Sequence, residues 1–73
     1  MDKVVRSVGD GPVTFAPPPM LTGELEVFDP GDALAIVAGE AIPAPVRGFV
    51  ARRLVPDGAH VHAGDPLLVL RCG

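Results

Sequence analysis

Ala44-Pro45-Val46-Arg47-Gly48-Phe49-Val50 begins the segment that points most clearly to a fold class. It runs on through Val55-Pro56-Asp57-Gly58 and Val61 to Gly64-Asp65-Pro66-Leu67-Leu68-Val69-Leu70. Two strand candidates, Phe49 to Val55 and Pro66 to Leu70, are separated by Pro56-Asp57-Gly58 and Ala63-Gly64-Asp65, which carry turn chemistry. Between the turns lies His60-Val61-His62, a short extended piece. Apolar runs this short, bounded by Pro and Gly, predict strands joined by turns.

Upstream the same grammar continues. Gly23-Glu24-Leu25-Glu26-Val27-Phe28 alternates polar and apolar, which predicts a half-buried strand with Leu25 and Val27 inward and Glu24 and Glu26 on a solvated outer face. Asp29-Pro30-Gly31-Asp32 is a turn, Ala33 to Val37 a buried strand, and Ala38-Gly39-Glu40 a tight reversal. Ala41 to Pro45 returns extended, because a residue before proline is pushed toward β geometry. Val13-Thr14-Phe15 is a short β-favouring run that stops at Pro17-Pro18-Pro19, an edge or an extended connection. Met1 to Gly11 is polar, Gly-rich and without periodicity. The expected boundaries are a flexible tail over 1–12 and one β domain over 13–73. No window supports a helix, so the expected class is all-β.

An internal echo appears once the turns are marked. Pro30-Gly31-Asp32-Ala33-Leu34-Ala35-Ile36-Val37 matches Ala63-Gly64-Asp65-Pro66-Leu67-Leu68-Val69-Leu70. Each copy follows an Ala-Pro and then a Gly: Ala16-Pro17 with Gly23, and Ala44-Pro45 with Gly48. On this alignment the first half is the shorter, nine positions from Gly23 to Asp32 against seventeen from Gly48 to Asp65. Two such halves, each too small to bury its own apolar face, are expected to close against one another.

Composition narrows the function classes. Seventy-three residues make one small domain, whose core yields only a few kcal/mol of net stability. Nine Gly and nine Pro accompany a 48% hydrophobic content, which is too apolar for a disordered chain. Cys72 is the only cysteine, so disulfides and four-cysteine zinc sites are excluded and a reducing, cytoplasmic setting is expected. No run approaches the length of a membrane span, and no apolar leader opens the chain. A net charge of -3 without Trp or Tyr argues against nucleic-acid binding. A binding, carrier or assembly module is what remains.

The quoted stretch resembles the biotinyl/lipoyl attachment domain family. Ala44-Pro45-Val46-Arg47-Gly48-Phe49-Val50, Val55-Pro56-Asp57-Gly58 with Val61, and Gly64-Asp65-Pro66-Leu67 follow its motifs in order. Gly31 to Val37 is similar to the family strand that leads into the attachment hairpin. The resemblance implies a small barrel-sandwich hybrid, a flattened β-barrel of two quasi-symmetric halves, whose glycines supply positive-φ turns. It also implies a lysine at the hairpin tip, as in the Glu-Ala-Met-Lys-Met of biotinyl domains, because an amine must form the amide to biotin or lipoate. Here the hairpin reads Val37-Ala38-Gly39-Glu40-Ala41-Ile42-Pro43, and ungapped extension sets Ala41 at the lysine position. The segment to Ala44 is also shorter than the family's. Lys3, in the expected tail, is the sole lysine.

Other residues invite sharper readings. His60 and His62, two apart on a strand, share a face and are the metal candidates; the ordinary alternative is two solvated flanks of an inward Val61. Arg47, Arg52 and Arg53 form either a docking region for an acidic partner or anion, or the solubilising charge of one strand. Arg52 and Arg53, being adjacent, must face opposite ways. Pro18 and Pro19 belong to a segment that either straps a partner or blocks an edge. Cys72 is read as an inert terminal thiol. The leading expectation is a non-enzymatic module without cofactor or modifiable lysine, a structural or docking subunit of a larger carboxylase-like or related complex. Self-association is compatible with it, whereas nucleic acid and membrane are not expected partners. The alternative is a small metal- or anion-binding protein using His60 and His62 or the three arginines.

Overall fold

Short apolar runs cut by Pro and Gly give short strands, and the computed structural model, which describes residues 1–72, has nine of them among those residues and no helix. They are β1 (Asp2–Arg6), β2 (Gly11–Phe15), β3 (Met20–Thr22), β4 (Leu25–Phe28) and β5 (Ala33–Val37). β6 (Glu40–Pro43), β7 (Gly48–Arg53), β8 (His60–Val61) and β9 (Pro66–Arg71) complete the chain. Every pairing is antiparallel. One sheet has the order β1-β9-β7-β4-β3 and the other β6-β5-β2-β8. Val5, Val13, Phe28, Leu34, Val37, Ile42, Val61, Leu67, Leu68 and Leu70 fill the core between them. The architecture is the all-β barrel-sandwich that the sequence predicts.

The two sheets repeat one design. β6-β5-β2-β8 corresponds strand for strand to β1-β9-β7-β4, and β3 is an addition at one edge. The turns repeat down to single hydrogen bonds. Asp32 N donates to Asp29 O at 3.0 Å, and Asp65 N to His62 O at 3.0 Å. The carboxylates answer in kind: Asp32 Oδ2 accepts from Asp29 N, and Asp65 Oδ2 from His62 N, each at 2.8 Å. Gly31 and Gly64 hold φ of 91° and 90°, a left-handed conformation open to glycine.

This register corrects the sequence alignment of the halves. Phe28 pairs with Gly48 as Val61 pairs with Gly11, so the counterpart of Gly48 is Gly11 and not Gly23. Gly23 instead turns the β3–β4 hairpin at φ 61°. The first half is therefore the longer one, having gained a hairpin where the second has the Pro56–Gly58 turn. Gly48 is not a positive-φ residue either. It is buried, and an added Cβ would lie 2.5 Å from Arg71 O, so what it supplies is room for β7 and β9 to approach.

Two further expectations change. Residues 1–12 are not a loose tail: β1 pairs with β9, Gly11 and Pro12 belong to β2, and Ser7 is buried with its N–H on Asp65 O at 2.8 Å. The order of the N-terminus comes from contacts distant in sequence, which local pattern does not carry. In β4 the alternation is inverted. Phe28 is the core residue, while Leu25 is 42% exposed and Val27 is half-buried on the outer face. Glu26 shares Phe28's side of the strand and pairs with Arg53 at 2.8 Å. Burying the ring of Phe28 outweighs burying Leu25 and Val27, and the period of two turns every neighbour with it.

Candidate docking surfaces and the lysine-free hairpin

The β5–β6 hairpin is closed by Ala38 and Gly39 between the pair Val37 and Glu40. Their φ values, 51° and 81°, are both positive, the type I′ arrangement that matches strand twist. Ala38 in this region costs about 1–2 kcal/mol relative to an ordinary conformation. Ala41 does not occupy the tip; it lies on β6 opposite Ile36, exposed. Neither tip residue carries an amine. Lys3 stands on β1 opposite Leu70, the position that corresponds to Glu40 in the other sheet, in a strand rather than at a turn. At the corresponding place in the other sheet, Cys72 N donates to Met1 O at 2.9 Å.

The candidate arginines are not brought into one cationic cluster. Arg53 donates to Glu26 at 2.8 Å and lies 5.0 Å over the Phe15 ring, so it closes one end of the sandwich. Arg47 pairs with Asp29 at 3.3 Å, both side chains largely exposed. Arg52 sits opposite Val69 and has no acidic partner among the described residues. As expected, Arg52 and Arg53 face opposite sides of β7. Pro18 and Pro19 lead into β3, the exposed edge of the larger sheet. Cys72 is half-buried.

His60 and His62 do come together, with ring centroids 5.5 Å apart and edge-on. Asp65 lies 3.8 Å from His62 Nδ1, but its Oδ2 already accepts from the His62 N–H. Asp57, another conceivable ligand, accepts from Phe15 N at 2.8 Å. Among the described residues no group of three or more His, Cys, Asp or Glu side chains is arranged to hold a metal ion.

The surface that the sequence reading missed is the outer face of the five-stranded sheet. Cross-strand partners place Met20, Val27, Phe49, Arg71 and Asp2 in one row across all five strands. A cleft of about 530 Å³ lies along it, lined by Thr22, Leu25, Val27, Phe49, Arg47 and Arg71. Its signal in the sequence was the Leu25/Val27 alternation, which marks one face of β4 but not which face is inward.

Arg71 reaches Asp2 through two hydrogen bonds, Nε to Oδ1 at 2.8 Å and Nη2 to Oδ2 at 3.1 Å. These bonds hold the Asp2 carboxyl below its usual value and push Arg71 up. A depressed acid contributes stability that is complete above its unfolded value, near 3.9, and is lost as pH falls through the lower folded value. Asp2→Asn is therefore expected to flatten the decline of thermal stability below about pH 4. Melting curves of both proteins between neutral and acid pH check this, and an unchanged acid limb would count against the pair. The effect is small, because both groups are exposed.

No family model matches the chain, and no curated protein matches it. Among solved structures it is similar to a single-chain, multi-domain long-chain acyl-CoA carboxylase, with a TM-score of 0.71 and 26% identity. The match covers 93% of this chain and 7% of that one, so nearly all of this protein resembles one small part of a large enzyme. The likeness supports a biotinyl-domain-like relation. No helix of the described residues is long and apolar enough to cross a membrane.

Proposed function

We propose that the chain is a carboxylase-related, biotinyl-like module that carries no prosthetic group and is not itself an enzyme, acting as a structural or docking part of a larger assembly. One observation carries this reading: the β5–β6 hairpin is complete, yet it is closed by Ala38 and Gly39. An alanine methyl and a glycine offer no nucleophile for amide formation with biotin or lipoate, and Ala41 beyond them offers none either. The sandwich around the hairpin remains intact in both halves, so shape and surface are what the module has to offer. Its likeness to part of a multi-domain carboxylase fits a role beside larger enzyme domains. A small core without disulfides gains stability from such a partner.

Intact mass after co-expression with a biotin ligase and a lipoyl ligase tests the absence of a handle. The expected mass is that of the unmodified chain, alongside a known carrier that is modified in the same cells. A biotinyl or lipoyl adduct on any residue, Lys3 included, would overturn the proposal.

A further inference from the structure

Quasi-symmetry supplies an internal comparison for the surface. On the outer face of the five-stranded sheet stand Val27, Phe49, Val69, Val4, Arg52 and Arg71. Their counterparts on the other sheet, by the same register, are His60, Pro12, Ile36, Ala41, Thr14 and Ala38. The backbone frame is shared, so the difference lies in residue choice. One face is small or polar apart from Ile36. The other combines half-buried Val27, Phe49 and Val69 and the exposed Val4 with Arg71 and Arg52 standing among them on the inner strands.

Resting on the reading of the chain as an assembly module, we propose that this apolar face docks a segment of a larger partner subunit that carries apolar side chains flanked by carboxylates. The cleft among Leu25, Val27 and Phe49 receives an apolar side chain, with Arg47 and Arg71 lining it as well. Arg52, opposite Val69 and without an internal acid, supplies an unanswered charge on the same face. Arg47 and Arg71 answer only to exposed carboxylates, Asp29 and Asp2, in pairs that water screens and that an incoming carboxylate can replace. Guanidinium groups suit that exchange because they bind carboxylates in a planar, two-pronged fashion. Asp29 and Asp2 offset Arg47 and Arg71, so the unpaired Arg52 gives this face its positive charge in a chain whose net charge is -3. Charge complementarity of this kind selects a partner and steers its approach.

Photo-crosslinking of the full chain in its native assembly tests the assignment. p-Benzoylphenylalanine replaces Phe49 in one variant and the exposed Leu25 in a second, so that misfolding of either leaves the other to report. A third variant carries it at Ile36 on the opposite sheet. Adducts from the first two, mapping to an acidic and apolar segment of a larger subunit, are expected, with none from the third. Arg52→Glu should lower that yield several-fold, whereas Thr14→Glu, its counterpart on the other sheet, should leave it unchanged. A co-purifying large partner that crosslinks through Ile36 alone, or through a basic segment, or to neither Phe49 nor Leu25 variant, overturns the docking face while the module reading stands. Adducts to a second copy alone overturn the partner chemistry. Absence of any large partner overturns both readings.

Discussion

Phe28→Ala is expected to leave a large fraction of the protein unfolded at 25 °C. Phe28 is 1% exposed and is the largest side chain in the core. Removing a buried phenylalanine ring costs about 3–5 kcal/mol, from lost transfer free energy together with the cavity left behind. A domain of this size has about 3–5 kcal/mol of net stability in all. The substitution therefore consumes nearly the whole margin. Val61, its counterpart in the second half, is equally buried but smaller, so Val61→Ala should lower stability by less and leave a measurable folded population. Urea titrations followed by far-ultraviolet circular dichroism give both values. A Phe28→Ala protein that unfolds cooperatively with a loss under about 1 kcal/mol would mean that β4 does not turn this residue inward.

The second large effect is at Gly48. An alanine Cβ there would stand 2.5 Å from Arg71 O and 3.1 Å from the Arg71 carbonyl carbon, both backbone atoms. Arg71 cannot retreat freely, since β9 is held between β7 and β1. One strand must move, and overpacking of this kind costs about 2–3 kcal/mol. For a domain of this size that lowers Tm by roughly 10–20 °C. Gly58→Ala separates space from conformation: nothing lies within 4 Å of its added Cβ, but its φ is 87°. Its cost should be about 1–2 kcal/mol, the left-handed penalty alone. Differential scanning calorimetry of the two variants decides the matter, and a Gly48→Ala protein no less stable than Gly58→Ala would contradict the close approach of β7 and β9.

What the sequence made legible follows from where each signal is stored. Gly31-Asp32 and Gly64-Asp65 were readable as equivalent turns because turn chemistry is local, and the structure repeats their hydrogen bonds. The all-β class was readable for the same reason. β1 was not, because Asp2-Lys3-Val4-Val5-Arg6 buries only Val5 and is ordered by β9 at the far end of the chain. Gly11 hid its kinship with Gly48 because the Ala-Pro that precedes Gly48 has no equivalent before Gly11, and the inserted β3–β4 hairpin offered Gly23 instead. Hairpin chemistry was legible in kind but not in position: the reversal at Ala38-Gly39 was readable, whereas counting onward to Ala41 overshot the tip. Arg47, Arg52 and Arg53 lie close in sequence, yet β7 sends Arg53 to the sandwich end and leaves Arg52 on the outer face. The outer row from Met20 to Asp2 spans five strands, and a pattern assembled across a sheet has no period along the chain.

Native mass spectrometry of the protein purified gently from its own source distinguishes an assembly module from a free-standing or modified protein. The expected result is a stoichiometric complex with a larger subunit, from which collisional activation releases this chain at its unmodified sequence mass. A bare monomer or dimer, or a released chain carrying biotin or lipoate, would contradict it.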